Sequence, residues 1–315
     1  MAALRLCLCA LVLAGLLGLL SPAWAAQVCV VSSDKGAAFQ EAADSFLQEA
    51  VRLGVARQDI AVLSLAEYLD GDPRAADSRL LVSLGTDALR QLVVHNPKQA
   101  LLAGLIPRIA FERVVQESGR KSPANVAALY LDQPFGRQLD ALHLALPTVR
   151  HIGVLWGPES VIQQPLLVAA LQSRAMDLSE GQVSDKLPLI AALRSALHDA
   201  DVLLAVADVA VFNPSTVSNI LLASYHAKTP VMGFSPAYVK AGALLSVHST
   251  ATQAGVQLAS MASRFLQTNT LPGNQYPLDF SLSGNDYVAH SLGISLDIKA
   301  LSERLRKLEK QEKRP

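Results

Sequence analysis

Short, almost wholly apolar runs alternate with longer helical patterns along the chain, and this alternation limits the fold more than any other feature. The runs Val28–Ser32, Ile60–Leu63, Leu80–Leu84, Ile152–Leu155, Val202–Val206, Val231–Phe234 and Leu244–Val247 are rich in Val, Leu and Ile. Several are apolar at successive positions, which suits parallel strands covered on both faces. Between them, Phe39–Val51 places Phe39, Ala42, Ala43, Phe46, Leu47 and Ala50 on one stripe. Thr252–Leu266 does the same with Leu258, Ala259, Ala262, Phe265 and Leu266. Spacing of i, i+3, i+4, i+7 buries one helix face against a sheet. Strand and helix repeated in this order predict an α/β fold with parallel sheets.

The pattern runs twice. Val28–Asp34 is a strand ending in a polar turn before the Phe39 helix, and Ile152–Glu159 restarts the same unit before a helix from about Ser160. Later in each half, Leu81–Asp87 and Leu203–Asp208 each end a strand in a polar turn. Two similar Rossmann-like lobes follow, with Lys121–Asn125 as a turn-rich first crossing. Ligands of open α/β sheets lie beyond the carboxyl ends of the strands, so two such lobes facing each other enclose a cleft.

Residues 1–25 carry one arginine, an apolar run from Leu6 to Leu20, a Ser21-Pro22 break and Ala23-Trp24-Ala25. A charged start, a short apolar core and an A-x-A ending predict a signal peptide cleaved after Ala25. The residues before Cys29 are wrong for lipidation. Without the leader Cys29 is the sole cysteine, so no intrachain disulfide forms and stability must come from burial. Hydrophobic residues at 51% against 17% charged imply large cores. A formal net charge of zero gives no reason to expect nucleic acid. The basic stretch Arg304–Arg314 reads as a solvated helix end, and no later segment is long and apolar enough to span a bilayer.

The second half resembles a known family on an ordered series of residues. These are Leu146-Pro147, Ile152–Glu159, Pro230–Ser235, Val239–Leu244, Gly255, Met261-Ala262, Asn285, Ala289 and Leu292–Ile294. The series is similar to the substrate-binding proteins of ABC transporters with the type I periplasmic fold, the branch with tryptophan- and tyrosine-binding members. The resemblance is looser before Ala124. It implies two lobes joined by three crossings, hinge closure on a small and possibly amino-acid-like molecule, and delivery to a membrane permease. The division it implies is lobe 1 from residues 26–127 and 248–271, lobe 2 from 128–247 and 272–302, and a charged tail over 303–315. The expected protein is a periplasmic monomer without a cofactor. The alternative is a sensory or accessory subunit of the same fold acting on a membrane sensor protein. Departures from the family pattern at Asp208-Val209 and Ala127–Gln133 keep that alternative open and leave ligand identity unassigned.

The candidate ligand-binding residues sit at strand ends and crossings. Ser32 and Ser33 with nearby N–H groups would hold a carboxylate, or Ser33 or Asp34 caps a helix; Gly85-Thr86 repeats the arrangement. Trp156, the only tryptophan beyond residue 25, is read as an aromatic wall or as surface packing, and Asp208 as the partner of a ligand amine or as a helix cap or turn residue. Phe212, Asn213 and Ser235 follow later strands, while Tyr130 and Asp132 stand near a crossing. On this reading Trp156→Ala and Asp208→Ala weaken ligand binding and leave melting of the free protein nearly unchanged. Catalytic signals are poor. Gly233–Ala237 imitates a nucleophile elbow, yet Gly242 follows too soon for the long helix an elbow needs. The seven histidines lack metal-ligand spacing, and no phosphate-binding glycine loop occurs.

Overall fold

A computed structural model of the chain describes residues 26–76, 78–95, 98–119, 125–184 and 186–312. The leader expected over residues 1–25, and all of the Lys121–Asn125 turn except Asn125, lie outside these. The strands are β1 (Val28–Ser32), β2 (Ile60–Ser64), β3 (Leu80–Leu84), β4 (Ala100–Ile106), β5 (Val126–Tyr130), β6 (His151–Trp156), β7 (Asp177–Gln182), β8 (Val202–Leu204), β9 (Val231–Gly233), β10 (Leu245–His248) and β11 (Ser281–Gly284).

They form two sheets, ordered β2-β1-β3-β4-β5 and β11-β10-β9-β8-β6-β7. The first is parallel throughout, and in the second only β11 runs antiparallel. Without β11, the second sheet repeats the first strand for strand: its opening strand β6 lies between β7 and β8, as β1 lies between β2 and β3. The repeat read from the sequence is thus a repeat of topology, and each lobe is a doubly wound sheet with one switch point beside its first strand.

Both sheets are covered on both faces, which is why their strands are apolar at consecutive positions. In lobe 1, Ala37–Arg52 and Ala251–Thr268 pack on one face around Phe46, Leu258 and Phe265, and Thr86–His95 and Arg108–Glu117 cover the other with Leu89, Leu92 and Phe111. In lobe 2, Phe135–Ala145, Gln164–Gln172 and Ile298–Glu312 cover one face, and Leu189–Leu197 and Val217–His226 the other. Ala37–Arg52 and Ala251–Thr268 lie so close that a Cβ on Gly255 would stand 2.3 Å from the carbonyl oxygen of Ala42. Cys29 is fully buried in β1, and burial pushes its thiol up to about 12.

The elements set the crossings a few residues from their expected places. β5 runs through Tyr130 with every residue buried, so Ala127–Tyr130 is a lobe 1 core strand and the crossing starts at Leu131. The second crossing follows His248, the last residue of β10. Gln275 then pairs beside Leu129, through Tyr130 N–H to Gln275 O at 2.9 Å and Gln275 N–H to Ala128 O at 2.8 Å, which puts the third crossing after Tyr276. The stretch expected as a charged tail is also corrected. Its described part, residues 303–312, belongs to the helix Ile298–Glu312, whose Leu301 and Leu305 are buried in or against lobe 2, while Arg304, Lys307 and Lys310 face solvent.

Candidate functional site

A cavity of about 330 Å³ opens between the lobes where the chain crosses. Lobe 1 contributes Pro107, which directly follows a bulge in β4 where Leu105 has φ 51°. The crossings contribute Leu131, Asp132, Gln133, His248 and Ser249. Lobe 2 supplies Ala205–Ala207 after β8, Phe234–Pro236 after β9, Val247, Gln163, and Phe135 and Gln138 from one helix. Apolar side chains make up most of the wall, with a few polar groups placed among them, as in other small-molecule sites.

Most of those polar groups are already oriented. Gln133 donates from Nε2 to Ser249 Oγ at 2.9 Å, and its Oε1 accepts from Arg137 Nη1 at 2.7 Å. Ser249 Oγ in turn donates to Asp279 O at 3.1 Å, and Arg137 Nη1 also reaches Pro277 O at 2.8 Å. These bonds join all three crossings in one network, anchored by the ion pair of Arg137 with Glu309 on the last helix. Asp132 Oδ2 accepts the Arg108 N–H at 2.6 Å, and burial pushes its carboxyl above the ordinary range. His248 is buried with Nδ1 3.3 Å from Ser246 Oγ, and burial lowers its pKa. Gln163 is different: it is 4% exposed, borders the cleft, and its Nε2 has no hydrogen-bond partner. Across the lobes, Arg113 pairs with Glu159.

Of the residues anticipated from the sequence, the cavity brings together Asp132 and Ser235. Ser235 precedes the helix Pro236–Ala241 with extended backbone at φ −152° and ψ 161°, and its side chain caps no N–H of that helix. Neither the short helix nor this relaxed backbone suits a nucleophile elbow.

The other candidates have different work. Ser33 Oγ accepts the Ala88 N–H at 2.8 Å, so it caps the Thr86–His95 helix from a neighbouring strand. Gly85 has φ +91°, and a Cβ there would stand 2.7 Å from Ser33 Oγ. Ser32 and Thr86 are half-buried at the same strand ends, beside the lobe 1 switch point but outside the cavity wall. Tyr130 is buried against Phe111 and Tyr276, with ring centroids at 5.9 and 5.3 Å.

Trp156 is corrected from aromatic wall to core. It is 1% exposed and donates from Nε1 to Glu180 Oε2 at 3.0 Å. Asp208 takes the turn role of its two readings, as a loop clamp, and not that of amine partner. Its Oδ2 accepts the N–H groups of Glu159 at 3.1 Å and Ser160 at 2.8 Å, and its Oδ1 that of Ala210 at 2.9 Å. Phe212 is buried in an aromatic cluster with Phe234 and Tyr238. Asn213 closes its own turn through Ser215 and Val209.

The residues missed were those on crossings and loops. Gln133 follows a strand, Val126–Tyr130, that was not expected there, Ser249 follows one whose end was placed one residue early, and Ala205 and Val206 were absorbed into an overlong β8. Gln163 lies in the turn Ser160–Gln163, where no periodicity marks it.

Among the described residues, no group of His, Cys, Asp and Glu is placed to hold a metal, and no helix is long and apolar enough to cross a membrane. No curated protein sequence matches the chain. Among solved structures, a conserved domain protein of Vibrio cholerae is similar with TM-score 0.58 and 22% identity, covering 88% of this chain and 97% of that one. An ABC domain from Streptococcus pneumoniae in complex with L-Trp gives TM-score 0.58 and 17% identity over 88% and 97%. A ligand-free, open substrate-binding protein with adhesive properties from Clostridium difficile gives 0.62 and 16% over 86% and 95%. At these identities the likeness establishes the fold, two lobes of the type I periplasmic-binding architecture. The family described as ABC transporter substrate binding protein matches residues 74–296, more than half of the chain, and the protein belongs to that family.

Proposed function

We propose that the protein is exported, loses residues 1–25 as a signal peptide, and serves in the periplasm as a solute receptor. It closes on a small amino-acid-like molecule and presents it to an ABC-type permease, with no reaction of its own. The cleft carries this reading. A largely apolar chamber sits at the three crossings, and two of its polar lining residues, Gln133 and Ser249, belong to the network that joins them. A molecule touching both lobes there favours the closed arrangement and shifts the opening equilibrium toward it. Leader-like residues and family membership support export and transport.

The test is a thermal-shift screen of the chain from Ala26 onward against amino acids and their derivatives, small carboxylates, nucleosides and sugars. A ligand at about 100 times its dissociation constant stabilises the folded state by about 2.7 kcal/mol, a visible rise in melting temperature. Absence of any shift across the library would count against solute binding and favour the accessory reading.

A further inference from the structure

We infer that, among amino-acid-like molecules, the cleft selects those whose acid group is masked or missing, with Gln163 reading a neutral acceptor and Asp132 an amine. The inference rests on the reading of the cleft as a ligand site and narrows the ligand that site takes.

Gln163 is the starting point. A buried amide donor without a partner is rare in a folded protein and marks a position where something else accepts. The backbone leading to it is held in place, because the segment before it is clamped twice: Asp208 takes the N–H groups of Glu159 and Ser160, and Ser160 Oγ accepts the Gly157 N–H at 2.8 Å. A carbonyl, ester or amide oxygen satisfies Nε2 without bringing charge into an apolar chamber.

Charge decides against a free acid. Among the described residues, no lysine or arginine borders the cavity. The two arginines beside it are engaged elsewhere: Arg137 with Glu309, Gln133 and Pro277, and Arg108 with Glu112 and the Tyr276 hydroxyl. His248, with its pKa lowered by burial, is neutral at neutral pH. The one carboxyl in the wall is Asp132. A carboxylate would therefore enter beside an acidic group with no cation to compensate, which buried charges tolerate poorly. An amine meets the opposite situation, since it is a donor with a carboxyl to receive it. The apolar body lies against Phe135, Phe234 and Val247.

Titration calorimetry on the chain from Ala26 onward, with matched sets, tests this. One set is L-phenylalanine, L-phenylalaninamide and phenethylamine; the other is L-tryptophan, L-tryptophanamide and tryptamine. The expected result is an amide that binds at least about tenfold more tightly than its acid, because sites built around specific polar groups discriminate strongly. Gln163→Leu should remove the advantage of the amide over the amine while leaving the amine bound. The acid-to-amide ratio is read on the unaltered protein, so the inference stays exposed even if the variant fails to fold. An acid that binds as tightly as its amide overturns it. Silence from both sets overturns it as well; a sugar or nucleoside hit in the wider library would then leave the solute-receptor reading standing.

Discussion

Replacing Asp208 by alanine separates two roles for the residue most attractive as a ligand contact. As an amine partner, Asp208 would matter to binding and little to the fold. In the structure it is 5% exposed and its carboxylate accepts three backbone N–H groups, from Glu159, Ser160 and Ala210. These donors belong to the loops after β6 and β8, so one side chain ties together the two loops at the lobe 2 switch point. Alanine leaves all three donors facing a methyl group. Hydrogen bonds to charged groups are worth about 1.5–3 kcal/mol each. Only the Ser160 N–H is fully buried, and water can replace part of the other two. We therefore take about 1 kcal/mol per donor, or about 3 kcal/mol in all. For lobes of this size, 1 kcal/mol moves Tm by about 2–4 °C, so Asp208→Ala should melt about 6–12 °C below the parent. Asp208→Asn, which keeps one acceptor oxygen, should fall between them. The assay is thermal unfolding of the ligand-free chain from Ala26, followed by far-UV circular dichroism. A variant that melts within about 2 °C of the parent, and has nonetheless lost ligand, would refute the clamp and restore Asp208 as a binding residue.

Other substitutions probe the remaining assignments. Trp156→Ala should destabilise the protein by about 3–5 kcal/mol, as emptying a large core site does, whereas Trp156→Phe should leave ligand affinity within about twofold; calorimetry and urea unfolding check both. Gly255→Ala drives a Cβ into the Ala42 backbone and should cost about 1–3 kcal/mol in urea unfolding, the range for overpacked sites. Leu305→Ala should cost about 2–5 kcal/mol, where a solvated tail would lose nothing measurable. His248 has a folded-state pKa below its ordinary 6.5, so the unfolded chain binds the extra proton first on acidification. Its stabilising contribution is full above that value and is lost as pH falls through the folded pKa. Between about pH 7 and pH 5, urea unfolding of the parent should therefore weaken more than that of His248→Gln.

The fold was legible because its strongest constraint is repetitive. Two-sided strands and one-sided helices write α/β layering at every turn, and a strand such as Leu80–Leu84 has no other place to go than a sheet interior. Most of the strands that escaped notice lack this signature, although Val126–Tyr130 carries it and was read as part of a crossing. Asp177–Gln182 is a mostly exposed edge strand with a polar sequence, and Ser281–Gly284 is a short antiparallel addition at the opposite edge. Ala100–Ile106, rich in Leu and Ala, satisfies helix and strand patterns alike.

The site was less legible, for a reason that lies in how strand ends are used. The rule that ligands sit beyond strand ends picks out a ring of loops without saying which side chains turn toward the gap and which turn back to hold the loops. Ser33, Trp156 and Asp208 are chemically versatile, and each turned back, to cap a helix, fill a core and clamp two loops. Asp132 and Ser235 do face the gap, beside Gln133, Gln163 and Ser249, which the sequence did not single out. Two of these contribute to the bonds that join the crossings, so the cleft wall and the hinge share side chains. A ligand that draws on Gln133 or Ser249 competes directly with the contacts that set the angle between the lobes. On the proposed solute-receptor reading, a substitution at either residue should therefore alter affinity and lobe angle together.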